Sequence, residues 1–306
     1  MKIYIKRPTI QGAWMWITKG YAHAWESLGF KVVYYDLIED IPADGVYDIM
    51  ARDWDLKGTK GMRAIESARR VYFFAQPSNF PLPWGSHPNF HSQCTDAAID
   101  KLNELDNVHL WTYGRTVAGR GPYHPKWKEM ATIPLAFDSI SYSPIKDDRY
   151  DYDACFVGGW ANNGFNEKRK IMLDYFKNFK DSGLKCGFFI NKNLTHEQEN
   201  AILYNSKVAI NIHDACQRHL DTDTNERTFK SLGTTGILVS DNIKQIKHLN
   251  LGVTLTDNPK EMVDAVKHYV FDTTPEERLS MKESNRKEII REHTYIKRAE
   301  ALLGLK

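Results

Sequence analysis

The stretch Asn225-Glu226-Arg227-Thr228-Phe229-Lys230-Ser231-Leu232-Gly233-Thr234-Thr235-Gly236-Ile237-Leu238-Val239-Ser240-Asp241 reads as helix, turn and strand in succession. Asn225 is a good helix N-cap, and Glu226, Arg227 and Thr228 form a first turn behind it. Gly233 is placed to stop that helix after about two turns. Gly236 then opens an apolar strand, 237–239, that ends at Ser240 and Asp241. The charge pattern is unusual. Free N–H groups make a helix N-terminus positive, so a cation there costs about 0.3–1 kcal/mol. Arg227 and Lys230 both sit near that end, and Glu226 offsets only one of them. A bound anion resolves the conflict, and helix N-termini are natural phosphate sites. Two solvated surface cations are the plainer alternative.

Working outward, the 306 residues are long for one hydrophobic core, so two domains are expected. The hydrophobic fraction of 42% and charged fraction of 26% are those of an ordinary globular chain. A net charge of +2 does not announce nucleic-acid binding, although local basic clusters suit acidic small molecules. Cys94, Cys155, Cys186 and Cys216 lie far apart without a Cys-x-x-Cys spacing, which fits reduced thiols in a cytoplasmic protein. No apolar run approaches the roughly 20 residues of a membrane span, and the N-terminal run is too short for a signal peptide.

Strand-like runs at 2–6, 31–36, 46–50, 70–75 and 108–112 alternate with helical stretches near 14–28, 59–69 and 93–105. A further strand is expected at 131–137, and the polar segment 138–150 reads as a linker. A second series follows, with strands at 153–158, 184–190, 208–212 and 252–255 around the opening unit. Its helices are expected at 166–180, 196–205 (capped by Thr195), 259–270 and 275–304, the last broken near 293–295. Alternation of this kind argues for α/β domains with parallel sheets covered on both faces. The expected organisation is therefore two Rossmann-like, doubly wound domains, 1–145 and 150–285. A C-terminal helix, 286–306, packs back toward the N-terminal domain.

Several ordered motifs carry a resemblance. Asn205 to His213 is similar to a family strand ending in asparagine and histidine; Arg227-Thr228-Phe229-Lys230 with Gly233 and Gly236 resembles an arginine-x-phenylalanine-glutamate helix and its glycine turn. Asp257–Met262 and the closing Glu292-His293-Thr294-Tyr295-Ile296-Lys297-Arg298 resemble further segments in the same order. Together they resemble GT-B glycosyltransferases, in particular the CgeB-like enzymes related to the group 1 family. The resemblance covers about a third of the chain at motif level. It implies a transfer of sugar from a nucleotide-sugar donor, UDP-linked above all, to an acceptor hydroxyl, with neither metal nor other cofactor. It also implies an acceptor-binding first domain and a donor-binding second one. One departure stands out: Lys230 occupies the place of a glutamate expected to hold hydroxyls of the donor. A lysine cannot accept those bonds, so it either reaches a phosphate or pairs with Asp221 or Asp223, while Glu226 substitutes in part.

Glycosyl transfer leaves added negative charge on the departing diphosphate, which calls for cations and N–H dipoles. Arg227 can grip phosphate with two parallel bonds, Lys230 lies one turn on, and the Thr228 hydroxyl and the cap at Asn225 complete the set. Gly158, Gly159 and Trp160 follow the first strand of the second domain, where ligands bind in such sheets; a plain tight turn is the alternative. Asn191, with Lys192, ends the next strand and could meet base or ribose, and His213 ends the strand before the helix, as a donor contact or a structural histidine. In the first domain Gly12, Gln76, Ser78 and Asn79 follow strands and are the acceptor-side candidates. Asp53 is the candidate catalytic base, against a loop aspartate paired with Arg52; His23 and His91 are the other bases available.

Asp221-Thr222-Asp223 matches a metal-binding pattern from another glycosyltransferase fold, but the architecture argues for a loop feeding the cap. The basic and aromatic segment 115–128 suits a sugar, a nucleotide or a nucleic-acid strand, or is an exposed loop. A modified base in phage-type DNA and a glycan are thus both open as acceptors, as is a small molecule. The competing readings are a catalytically silent sugar-nucleotide or DNA-binding protein, motivated by Lys230, and a dehydrogenase. The second lacks a full Gly-x-Gly-x-x-Gly fingerprint.

Overall fold

The computed structural model describes residues 1–8, 13–56, 59–77, 94–114, 122–160 and 167–305. The chain forms two compact units, Met1–Pro134 with Tyr295–Lys306, and Leu135–Thr294. The first holds β1 (Lys2–Lys6), α1 (Ala13–Ser27), β2 (Lys31–Tyr35), β3 (Tyr47–Arg52), α2 (Met62–Ser67), β4 (Arg70–Phe74), α3 (Asp96–Glu104), β5 (Val108–Thr112) and β6 (Ala131–Thr132). Its parallel sheet runs β2-β1-β3-β4-β5-β6. Ile3, Ile49, Val71 and Phe73 are fully buried, the pattern of strands covered on both faces.

The second unit holds β7 (Ala154–Gly158), α4 (Lys168–Phe176), β8 (Cys186–Ile190), α5 (His196–Asn205), β9 (Val208–Asn211), α6 (Ala215–Leu220), α7 (Glu226–Thr234), β10 (Leu238–Ser240), α8 (Lys244–His248), β11 (Val253–Leu255), α9 (Pro259–Lys267) and α10 (Pro275–Glu292). Its parallel sheet runs β11-β10-β9-β7-β8. Chain order therefore reverses between β7 and β9, the kind of switch point at which open α/β sheets bind ligands. The final helix, α11 (Tyr295–Leu303), returns to the first unit and packs on α1, where the Tyr295 ring lies against Gly20 and 4.9 Å from the Tyr21 ring.

Four differences from the sequence reading have local causes. Gly233 does not end its helix: α7 continues through it because the Phe137 ring packs where a side chain would stand, 2.6 Å from an added Cβ. Gly236, at φ +86°, makes the break instead and lets the Lys282 backbone approach. Only Ala131–Thr132 of the expected strand at 131–137 pairs within the sheet, as β6; Phe137 makes an isolated bridge with Thr294. The units part after Pro134 rather than in 138–150, since that segment is fastened to α5. Asn200 and Asn205 donate to the carbonyls of Ser143 and Ile145 there. The short helices α6 and α8 were not expected; six and five residues give too little periodicity to register.

Candidate functional site

The strand ends β7 and β9 meet α7 at the switch point of the second unit, and Arg227 joins them. Its Nε donates to the Val157 carbonyl at 2.8 Å and its Nη1 to Asn211 Oδ1 at 2.9 Å. The guanidinium lies 4.7 Å over the Phe156 ring and fills the space where a side chain at 158 would stand. Gly158 is thus a glycine because Arg227 crosses it. Burial pulls Arg227 below its ordinary pKa, while Glu226, Glu199 and Asp241 act against that shift.

His213 is a hub rather than a ligand contact. Its side chain has no exposed surface, and Nδ1 lies 2.6 Å from Asp241 Oδ1. Burial opposes ionisation of Asp241, but the His213 ring, the His213 N–H and Arg218 hold its carboxyl below the usual range. The Asn225 N–H approaches His213 Nε2, so that nitrogen acts as the acceptor and takes the Thr224 hydroxyl at 2.7 Å. Thr224 Oγ1 then accepts from Thr228 Oγ1 at 2.5 Å, and Thr228 Oγ1 from Asn211 Nδ2 at 2.9 Å. Thr228 is in this way spent on holding the helix start, without exposed surface. One proton order satisfies all these groups, as a buried polar network requires.

Lys230 pairs with neither Asp221 nor Asp223. It meets Glu199 on α5 at 2.5 Å, and Tyr142 donates to the other Glu199 oxygen at 2.6 Å. Asp221 instead binds Lys244, and Asp223 takes hydrogen bonds from Gln217 and Thr222. The aspartate pair is thereby absorbed into loop structure, and among the described residues no metal-binding group of three His, Cys, Asp or Glu side chains forms. Asn191 is also committed locally: at φ +52° it clamps the backbone of Trp160, accepting from its N–H at 3.0 Å and donating to its carbonyl at 3.3 Å, with Gly159 alongside. Its side chain thus holds a loop rather than reaching for a base.

Sequence reasoning missed Lys168. As the first residue of α4 it is buried and senses Arg227, Asp214, Glu226 and Asp241; burial first, then the Arg227 charge, lowers its pKa to about 8. Glu226 feels the same field: burial raises it, but Arg227, Lys230 and Lys168 bring it below the usual value. The available signal was a lysine opening a helix after a Gly-containing loop. Two buried cations thus come together here, the Arg227 charge depressing Lys168, and α7 begins without a side-chain cap; cations at a helix start are the chemistry that can take an anion.

In the first unit, Asp53 is wholly buried and accepts from the Cys94 N–H at 3.3 Å. Without exposed surface it cannot take a proton from a substrate, so the expected base is a structural aspartate; Arg52 pairs with Asp55 instead. Gln76 lies just past β4, 7% exposed, with its Oε1 unpartnered. Gly12, Ser78, Asn79 and His91 lie outside the described residues, as do residues 115–121 of the basic aromatic segment; His23 sits on α1. A pocket at the ends of β1 and β3 is lined by Trp14, Phe74, Trp111, Tyr113 and Arg52, with the Arg52 guanidinium 4.5 Å over the Trp14 ring.

A family model described as glycosyl transferase-like matches residues 151–304. Among curated proteins no sequence matches. Solved structures do: a trehalose-6-phosphate structure from E. coli bound with UDP-2-fluoro glucose aligns at 10% identity and TM-score 0.59, over 99% of this chain and 98% of that one. An alpha-glucosyltransferase in complex with UDP and a 13-mer DNA containing a HMU base gives 10%, 0.59, and 99% of both chains. AviGT4, a glycosyltransferase involved in avilamycin A biosynthesis, gives 10%, 0.55, 99% and 96%. These likenesses show the GT-B fold, two Rossmann-like domains. No helix among the described residues is long and apolar enough to cross a membrane.

Proposed function

The chain belongs to the glycosyl transferase-like family and is a glycosyltransferase, and on that premise we propose that it moves a sugar from a nucleotide-sugar donor to an acceptor hydroxyl without a metal ion. The observation that carries this is the anion centre at the β7–β9 switch point. Arg227 and Lys168 supply charge at the start of α7, where a leaving diphosphate needs it. Held cations do for the leaving group what a divalent ion does elsewhere, so turnover should survive a chelator. Lys230 contributes through Glu199 and Tyr142 by fixing the packing of α5 on α7, with its charge already matched.

On the acceptor side, the partly exposed Trp14 ring beside the Arg52 guanidinium is the surface of the first unit that suits a ring, of a modified DNA base or of a glycan. UDP stands first among the nucleotides because two of the similar structures carry it. The four free cysteines fit a cytoplasmic setting. Incubation with a panel of UDP-, GDP- and dTDP-sugars, reading diphosphate release and binding, is the test; failure to bind any of them overturns the proposal. The neutralised Lys230–Glu199 pair favours a second reading, a binding protein of the same fold without turnover. Donor turnover that disappears in Arg227→Ala would remove it.

A further inference from the structure

We propose that Asn225 Oδ1 is a recognition atom for a hydroxyl of the transferred sugar, an inference that rests on the sugar-transfer reading and deepens it. The orientation of this amide follows from its neighbours. Arg227 has only donors, so the atom it meets on Asn211 at 2.9 Å is the oxygen. Asn225 approaches that same oxygen at 3.2 Å and must present its nitrogen. The Asn225 oxygen is left on the other side. It has no partner, on a side chain only 7% exposed, and it does not cap α7 although Asn225 holds the cap position.

An unmatched buried acceptor costs about 1–3 kcal/mol, and this one is held open by the same bonds that seat Arg227. Beside it the site offers donors: the guanidinium, which shares Asn211 Oδ1 with Asn225, and Lys168, which feels the Arg227 charge. A phosphate oxygen only accepts, so it satisfies those donors and is repelled by Oδ1. The group that completes the site must therefore donate a hydrogen bond beside the diphosphate. The sugar ring of a nucleotide sugar carries such hydroxyls, and a bare nucleotide diphosphate carries none at that end. Asn225 thus separates donor from spent nucleotide, favouring the loaded ligand.

Titration calorimetry of wild type, Asn225→Ala and Asn225→Asp with UDP-glucose, GDP-mannose, UDP and GDP tests this. In Asn225→Ala, affinity for the sugar nucleotide should fall at least tenfold further than affinity for its diphosphate. Asn225→Asp keeps an acceptor and should keep the preference for the sugar nucleotide, while its charge weakens both ligands. Equal losses for both ligands in Asn225→Ala, or no loss, overturn the inference. If Asn225→Ala does not fold, loss of the preference in Asn225→Asp overturns it instead. Absence of binding by wild type to all four ligands fells the sugar-transfer reading itself, and this inference with it.

Discussion

The two units share a strand order, with the first and third strands adjacent and the second outside, yet furnish the strand ends differently. At that point the second unit places Arg227, Asn211 and a polar relay running back to Asp241. The first places Trp14, Phe74, Trp111 and Tyr113 around a rim arginine. Topology supplies the strand ends in both cases, and side chains alone decide whether they present charge or aromatic rings.

The sharpest way to break this contrast is to strip the charge matching from the second unit. Glu199→Ala leaves Lys230 buried without its carboxylate, and unfolding stability should fall by about 3–5 kcal/mol, read by denaturant titration. Arg227→Ala should lower donor turnover by about 10²–10³-fold, with the diphosphate affinity reduced alongside. In the first unit, Trp14→Ala removes the surface beneath Arg52 and should raise acceptor KM about tenfold, with a smaller change in donor KM. A comparable rise in both would dissolve the division of labour.

Lys168 gives a pH test. Its folded pKa, about 8, lies below the ordinary lysine value of 10.5, so the unfolded chain binds the extra proton between them. Its burial therefore opposes folding below pH 8, and that cost is relieved as pH rises toward 10.5. Diphosphate affinity should move the other way over the same window, as the lysine charge is lost. Affinity that stays flat across pH 8–10 would remove Lys168 from the site. The smallest effect is expected from Asn191→Ala, which frees the Trp160 backbone and should cost about 1 kcal/mol.

Much of the fold was legible because buried parallel strands are short apolar runs, as at 154–158 and 208–211. Arg227 was legible as a misplaced charge, and it stands at the strand ends of β7 and β9. What could not be read were pairings between distant segments: Lys230 with Glu199, 31 positions away, and His213 with Asp241, 28 away. A sequence shows that a lysine replaces a glutamate, but not that a neighbouring helix returns the carboxylate. Asp53 misled because a residue at a strand end is as easily turned inward as outward.

The second unit begins and ends at one place: Phe137 N donates to the His293 carbonyl at 2.8 Å beside the Phe137–Thr294 bridge. Within the first unit, Arg298 likewise reaches the Pro134 carbonyl at 2.9 Å. Residues 135–294 thus form a cassette, removable without cutting either sheet. Expressed alone they should fold, and a linker of a few residues should close the remainder.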